Sequence, residues 1–421
     1  MLAMVERLDR RRHVLAVLLF TDGPLVGALR AAGVAVEVLP LGDAVRGATR
    51  GSLGVGSLAK IGAAFSSVAY VVRLARHIRR AKPDIVHCNS LKADILGGFA
   101  GRLARAKVIW HVHDRIERDY LPGAVVKVFR ALARVVPHYV IANSQATLET
   151  LHLPQAKRCA VVYPGVAAAG AVTGDGLQVT GGREDPQIAQ IPQITGLAGQ
   201  PAGRGPAGTE QNESEALPKH SNSYLLTSNS LQHDAKCCTV TLVGRISPWK
   251  GQDVFIRAAA IVLRQFPDCR FRIVGSALFG EDALVGQLKQ LAETLGVARQ
   301  IEFMGFRQDV PEIISASAMV VHASTVPEPF GQVIVQAMAA GKPVVATRGG
   351  GVLEIVEDGV SGVLVPMKAV EAMAKAICEI LSDPVRAQRM GEAGRARFLE
   401  RFTIEKTVEA VEGVYGAMTS T

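Results

Sequence analysis

The stretch that most constrains the fold spans residues 322–366, directly after an apolar run that ends at Val321. A proline-bracketed loop follows, and apolar side chains then recur at helical spacing over residues 333–338 until Gly341 stops the helix. Two more apolar runs come next, separated by a short helix that a triple glycine opens. This alternation of strands and helices predicts a parallel sheet with helices on its faces.

The same stretch carries residues suited to a ligand. Each of its two helices starts where a parallel strand ends, so unpaired N–H groups point into the crevice, a place that binds phosphate. Gly331, Gly349 and Gly350 lack a Cβ and would let a ligand approach the backbone. A carboxylate repels phosphate, so we expect Glu328 to face uncharged sugar hydroxyls, with Gln336 beside it. The pattern predicts a sugar-nucleotide site; the alternative is that the glycines are only helix caps and Glu328 is a solvated acid.

A second candidate site follows the apolar run at residues 239–244. Arg245 and Lys250 bracket a proline-containing turn at the start of a helix predicted over residues 252–264. Two cations at the start of a helix are costly unless an anion lies between them, and a diphosphate would satisfy both. A purely structural role for the two cations is the alternative.

The first half of the chain offers a histidine. The strand predicted at residues 108–111 runs into His111, His113 and Asp114 at its carboxyl end, on the side where ligands bind. We expect His113 to take part in the chemistry, with Asp114 orienting it or balancing its charge. The alternative is that nearby backbone groups satisfy both histidines.

The length and local composition divide the chain of 421 residues. Residues 1–166 predict a Rossmann-like domain whose usual first strand, with its tight glycine turn, is missing. Residues 167–236 are rich in Gly, Pro, Gln, Ser and Asn and predict a disordered insertion without regular structure. Residues 237–400 predict a second Rossmann-like domain, and 401–421 a helix that crosses back to the first.

The net charge of +9 indicates an anionic partner: a nucleotide diphosphate, an acidic membrane surface or a nucleic acid. No basic patch interleaved with aromatic residues occurs, so we expect no nucleic-acid partner. The six cysteines lack metal-ligand spacing and predict reduced thiols in a cytoplasmic protein, as does the absence of a signal-peptide pattern. The apolar stretch 53–72 predicts a loop and an amphipathic helix rather than a membrane span. Basic turns such as residues 77–80 leave peripheral contact with the inner face of a membrane open.

Taken together, these motifs resemble the family-4 retaining glycosyltransferases of GT-B fold. The resemblance covers residues 1–166 and 237–421. It is carried by the following residues: His113, Gly244, Arg245, Lys250, Glu328, Pro329, Phe330, Gly331, Gly349 and Gly350. It implies two Rossmann-like, doubly wound parallel-sheet domains that face each other across a cleft.

The resemblance assigns the donor diphosphate to the second domain. Arg245 and Lys250 would hold the diphosphate and stabilise the charge that builds as it leaves. Gly244, Gly349 and Gly350 would line the donor site. No metal ion is implied, and the lack of an Asp-x-Asp motif agrees with that.

The resemblance assigns the sugar to residues from both domains. Glu328 would hydrogen-bond hydroxyls of the transferred sugar, with the amides of Phe330 and Gly331 beside it, and His113 would meet that sugar across the cleft. Gln336 stands where the family has a second glutamate, which reads the ribose hydroxyls. Because a neutral acceptor binds less strongly than a charged one, we expect donor affinity to be lower by about tenfold.

The function implied is retaining transfer of a hexosyl group from a nucleotide diphosphate sugar to a glycan or lipid-linked acceptor, as in polysaccharide biosynthesis at the cell envelope. It needs no cofactor beyond the donor. One alternative is a truncated, non-catalytic protein that only binds nucleotide sugars. Another is a nucleotide-sugar epimerase of the same two-domain architecture, against which the intact stretch from Glu328 to Gly331 argues.

Overall fold

The computed structural model describes residues 1–41, 57–167, 193–195, 238–278 and 281–420. The elements of the first part are, in order, α1 (Leu2–Arg7), β1 (Ala16–Leu19), α2 (Pro24–Ala31), β2 (Ala35–Val38), α3 (Ser57–Ala81), β3 (Ile85–Cys88), α4 (Leu91–Ala104), β4 (Lys107–Val112), α5 (Gly123–Val135), β5 (Tyr139–Ala142), α6 (Gln145–Thr150), β6 (Cys159–Val161) and β7 (Gln193–Thr195).

The second part continues the alternation of strand and helix. Its elements are β8 (Thr239–Val243), α7 (Gln252–Val262), β9 (Arg270–Val274), α8 (Asp282–Thr294), β10 (Ile301–Gly305), α9 (Val310–Ser315), β11 (Met319–His322), α10 (Gln332–Ala339), β12 (Val344–Thr347), α11 (Val352–Ile355), β13 (Val363–Val365), α12 (Val370–Ser382), α13 (Pro384–Arg401) and α14 (Ile404–Thr419).

The second domain is built on a six-stranded parallel sheet in the order β10-β9-β8-β11-β12-β13. Strands β11 and β12 are buried along their whole length, as expected for a sheet covered by helices on both faces. Strand order reverses between β8 and β11, which lie side by side. The loops that follow these two strands therefore meet at one place, where open α/β sheets bind their ligands.

The first domain contains the parallel sheet β3-β4-β5-β6 and a smaller sheet in the order β2-β1-β7. Strands β1 and β2 are parallel, whereas β7 runs antiparallel to β1 and packs beside β3. The sequence predicted no regular structure over residues 167–236, and the strand at 193–195 differs from that prediction. Apart from residue 167, the rest of that stretch lies outside the described residues.

Helix α3 accounts for most of the apolar stretch 53–72. It begins at Ser57 and continues to Ala81, and residues 53–56 lie outside the described residues. Within the described part of the chain, no helix is both long enough and apolar enough to cross a membrane.

The C-terminal helix α14 packs on the first domain. Its apolar side chains, among them Val411 and Tyr415, join the cluster formed by α1, α2 and β1. The chain passes between the domains at residues 402–404, where Val166 pairs with Thr403 and Ile404 donates to the Val166 carbonyl at 3.0 Å. Two chain segments thus cross from one domain to the other side by side.

Candidate active site

The centre of the candidate site is a contact between Lys250 and Glu328. Lys250 lies on the loop after β8 and Glu328 on the loop after β11, so the neighbouring strands bring the two side chains together. The Lys250 ammonium donates to Oε1 of Glu328. The Ser324 hydroxyl donates to the same oxygen at 2.6 Å, and Nε2 of His322 lies 3.4 Å from it. The Glu328 side chain is 12% exposed.

The surroundings of Glu328 favour its ionised form. Burial by itself would raise its pKa, but His322 and the charge of Lys250 outweigh burial and hold the pKa well below its usual range. Glu328 is therefore a carboxylate throughout the neutral pH range. A buried carboxylate is a strong acceptor for hydroxyl groups.

Arg245 lies on the same loop as Lys250 but contacts a different neighbour. Its guanidinium lies over the Trp249 ring, with Cζ 4.7 Å from the ring centroid. The main-chain oxygen of Arg245 accepts a hydrogen bond of 2.9 Å from the buried side chain of Gln252, the first residue of α7. Gly244 lies against the Lys250 side chain, because a Cβ there would be 3.9 Å from Lys250 Cδ. The structure thus places the predicted diphosphate residues on one turn.

The glycines at 350 and 351 are required by the backbone of the Glu328 loop. Gly350 has φ +64°, and a Cβ on it would lie 1.9 Å from the Glu328 carbonyl oxygen. Gly351 donates to that same oxygen at 2.9 Å, and Glu328 and Gly350 form an isolated parallel bridge. Gly350 therefore makes room for the carbonyl of Glu328. The sequence interpretation, in which Gly350 makes room for a ligand, stays a prediction.

The other predicted donor residues lie around this loop. A Cβ on Gly349 would contact Pro327 and Met367 at ordinary distances, whereas Gly331 has φ +120°, which favours glycine. The Phe330 ring is buried and packs against neighbouring aromatic rings, so only its main chain is available to a ligand. Gln336 is half-buried on α10.

His113 follows β4 and is held by two asparagines. Its Nε2 hydrogen-bonds Oδ1 of Asn89, which follows β3, and its carbonyl accepts from Nδ2 of Asn143 at 3.0 Å. Its ring stacks on His111 with 4.2 Å between centroids. Burial lowers the pKa of His113 to about 4, so the imidazole is neutral at pH 7. Asp114 accepts a hydrogen bond of 3.1 Å from Tyr120, and the side chain that contacts the His113 ring nitrogen is Asn89.

The first domain touches the second next to Glu328. Ser144 donates to the carbonyl of Pro329 at 2.5 Å, and Glu354 on α11 accepts from the amides of Gln145 and Ala146. The carboxyl edges of the two sheets therefore face each other at the loop that carries Glu328.

Sequence reasoning missed several polar residues that the fold places here: Asn89, Ser144, His322, Ser324 and Glu354. Their positions in the sequence could have indicated them, because all but Glu354 lie at or just after the carboxyl end of a predicted strand. Among the described residues, no group of three or more His, Cys, Asp or Glu side chains lies close enough to hold a metal ion.

Two facing α/β domains with a polar cluster between their carboxyl edges define the GT-B architecture. Two family models match the chain: Glycosyltransferase Family 4 over residues 2–169 and Glycosyl transferases group 1 over residues 227–397. The chain belongs to the family-4, group 1 glycosyltransferases. The resemblance inferred from the motifs and the GT-B fold are both confirmed.

Solved structures support the same conclusion. HepE from Anabaena, in complex with UDP and glucose, is 27% identical, with a TM-score of 0.71 over 99% of this chain and 94% of that one. Sucrose-phosphate synthase from Thermosynechococcus elongatus, at 20% identity and a TM-score of 0.63, covers 96% of each chain and shows the shared fold.

Curated relatives match over part of the chain. D-inositol 3-phosphate glycosyltransferase from Segniliparus rotundus is 37% identical over 180 residues, 42% of this chain and 39% of that protein. Alpha-D-kanosaminyltransferase from Streptomyces kanamyceticus is 32% identical over 178 residues, 42% of this chain and 45% of that protein. The matched region thus spans less than half the length of these relatives.

Proposed function

We propose that the protein is a retaining glycosyltransferase that moves a hexosyl group from a nucleotide diphosphate sugar to a glycan or lipid-linked acceptor. The observation that carries the proposal is the contact between the Lys250 ammonium and the ionised Glu328 where β8 and β11 end. Family membership supports sugar transfer, and the UDP and glucose in the HepE structure support a uridine diphosphate hexose as the first donor to test.

Lys250 and Arg245 would act on the leaving group. In the proposed reaction the bond between the anomeric carbon and the diphosphate oxygen breaks, and its electron pair leaves with the diphosphate. The acceptor oxygen forms the new bond to that carbon, and its proton passes to the departing diphosphate. Cationic groups already fixed on one turn would stabilise the departing diphosphate without reorganising. Such preorganised electrostatic stabilisation is usually the largest single contribution to an enzyme's rate enhancement. Lys250 would exchange its contact with Glu328 for the more highly charged diphosphate.

Glu328 and His113 would act on the sugar. The Glu328 carboxylate would accept hydrogen bonds from sugar hydroxyls, with the amides of Phe330 and Gly331 next to it in the chain. His113 would approach from the first domain as a neutral imidazole, since its pKa is lowered to about 4. A neutral ring can donate or accept a hydrogen bond without bringing a positive charge to the sugar, so it does not cancel the negative charge that Glu328 supplies.

The direct test is release of nucleoside diphosphate from a panel of uridine, guanosine and adenosine diphosphate sugars. We expect one donor class to turn over, and Lys250→Ala to reduce that turnover by at least about 100-fold, the usual cost of removing a group that stabilises transition-state charge. Lys375→Ala is the control, because Lys375 is 79% exposed on α12. Equal turnover by Lys250→Ala and the control would reject the site.

Three further measurements check the finer parts of the proposal. Proton NMR of the product should show the anomeric configuration of the donor, and an inverted product would contradict retention. Turnover should survive treatment with EDTA if no metal ion takes part. Calorimetric donor binding without transfer to any acceptor would instead favour a non-catalytic nucleotide-sugar binder. We place the reaction in the cytoplasm, where the free thiol of Cys88 stays reduced.

A further inference from the structure

We infer that Glu354 is a positioning residue that fixes the Glu328 loop against the first domain without touching the substrate itself. The inference rests on the proposed function, in which Glu328 and His113 lie on different domains and must meet one sugar. A misplacement of about 1 Å between such groups can cost a factor of about 100 in rate. Some contact between the domains must therefore set their relative position.

The Glu354 carboxylate makes that contact with both of its oxygens. Oε2 accepts from the Gln145 amide at 2.8 Å and from the Tyr163 hydroxyl at 3.0 Å, and Oε1 accepts from the Ala146 amide at 2.9 Å. Gln145 and Ala146 are the first residues of α6, so their amides have no partner within the helix. Their donors match a carboxylate in number and charge, and a neutral or shorter side chain would leave at least one of them unpaired.

A second contact anchors the Glu328 loop itself. Pro329 directly follows Glu328, and its carbonyl oxygen accepts from the hydroxyls of Ser144, at 2.5 Å, and Thr147, at 3.2 Å. Ser144 and Thr147 are both buried. The first domain thus holds the main chain one residue beyond the carboxylate that would bind the sugar.

The same segment of the first domain also holds His113. Asn143 donates from Nδ2 to the His113 carbonyl, and the next three residues supply the bonds to Pro329 and Glu354. Four consecutive residues, 143–146, therefore connect the histidine of one domain with the carboxylate of the other.

The second domain holds Glu354 rigidly in return. Arg397 on α13 donates from Nε to the Ile355 carbonyl at 2.7 Å and from Nη2 to the Glu354 carbonyl at 2.9 Å. On the other side, Gly351 donates to the Glu328 carbonyl. A shift of Glu354 would therefore move the Glu328 loop as well, and this connection makes Glu354 more than a surface link between domains.

The test compares Glu354→Ala with Glu357→Ala in the full chain. Glu357 lies three residues on, and its exposed carboxylate is 3.9 Å from Arg397. For Glu354→Ala we expect kcat to fall by about 10- to 100-fold while the KM for the donor stays unchanged, because the group acts on alignment and not on donor binding. Glu354→Asp should retain more activity than Glu354→Ala, and Glu357→Ala should behave as wild type.

Hydrogen exchange provides a readout that does not depend on turnover. Amide protection at Gln145 and Ala146 should fall by at least about tenfold in Glu354→Ala, the loss of a charged hydrogen bond, and stay unchanged in Glu357→Ala. Equal protection and equal kcat in the two variants would overturn the inference, as would a fall in kcat/KM that comes entirely from a higher KM for the donor, with kcat unchanged. Wild-type protein that shows this protection but transfers no sugar would instead count against the proposed function.

Discussion

At the scale of single residues, the site depends on one carboxylate that its neighbours keep ionised. Glu328 would be protonated readily if burial acted alone, but Lys250, Ser324 and His322 surround its Oε1. The lysine therefore has a partner before any donor binds. Replacing that partner by a diphosphate keeps the ammonium paired at every stage and spares it the cost of an unpaired charge.

Gln336 is the residue at which we expect a substitution to tighten donor binding. It stands where the resemblance implies a second glutamate that reads ribose hydroxyls. We expect Gln336→Glu to tighten donor binding by about tenfold, because a charged acceptor forms stronger hydrogen bonds than a neutral one. The measurement is a calorimetric titration with the donor. Gln290→Glu, which adds the same charge at an exposed position of α8, is the control and should bind as wild type. Equal donor affinities of all three proteins would show that position 336 does not face the ribose.

At the scale of elements, the local patterns predicted most of the second domain. The apolar runs became β11, β12 and β13, and the helical spacing over 333–338 became α10. Each of these follows from side-chain periodicity, which is a local property. The end of α10 was also predictable from a local pattern, because Gly341, just after the helix, adopts the left-handed φ of +66° that favours glycine.

What depends on distant contacts was not predictable. The sequence indicates that position 350 must lack a Cβ. It does not show whether a ligand or the Glu328 carbonyl fills that space, because Gly350 and Glu328 are far apart in the chain. Strand β7 lies in a segment whose composition predicts disorder, and its pairing with β1 is likewise non-local. Nothing in the local sequence distinguishes Glu354 from other helical glutamates, because its contact with the amides at the start of α6 depends on the packing of the two domains.

Gly350 allows the close approach between α11 and the Glu328 loop to be tested. Gly350→Ala should destabilise the protein by more than about 2 kcal/mol and reduce transfer, because the new Cβ would overlap the Glu328 carbonyl as well as strain the backbone. Gly359→Ala is matched to it: its φ is +79°, but nothing lies within 4 Å of the added Cβ, so it reports strain alone. Urea unfolding and donor turnover give the two numbers. Similar losses in the two variants would contradict the overlap.

At the scale of the whole molecule, the C-terminal helix ties the chain end to the first domain through a buried histidine chain. The Tyr415 hydroxyl on α14 hydrogen-bonds Nδ1 of His87 at 2.7 Å, and Nε2 of His87 lies 3.1 Å from Nδ1 of His111. Because α14 follows directly on α13 of the second domain, the first domain packs against a helix that the chain supplies only after the second domain.

This histidine chain makes stability depend on pH. Burial lowers the pKa of His87 to about 3, whereas an unfolded histidine titrates near 6.5. Below pH 6.5 the unfolded state therefore binds more protons, and the free energy of unfolding should fall by about 1.4 kcal/mol per pH unit for His87 alone. Urea unfolding at pH 7.5 and pH 5 measures the slope. His87→Phe should make the dependence of the unfolding free energy on pH shallower. His152→Gln, which alters a histidine that does not belong to the buried histidine chain, should leave this slope unchanged. An unchanged slope in His87→Phe would contradict the assignment.

The most direct test of the central claim, that Lys250 binds the donor diphosphate, is a pair of calorimetric titrations with uridine diphosphate and with uridine. We expect Lys250→Ala to weaken binding of uridine diphosphate by about 10- to 100-fold, the loss of a charged hydrogen bond, and to leave binding of uridine as in wild type. Equal affinity of wild type and Lys250→Ala for uridine diphosphate would contradict it.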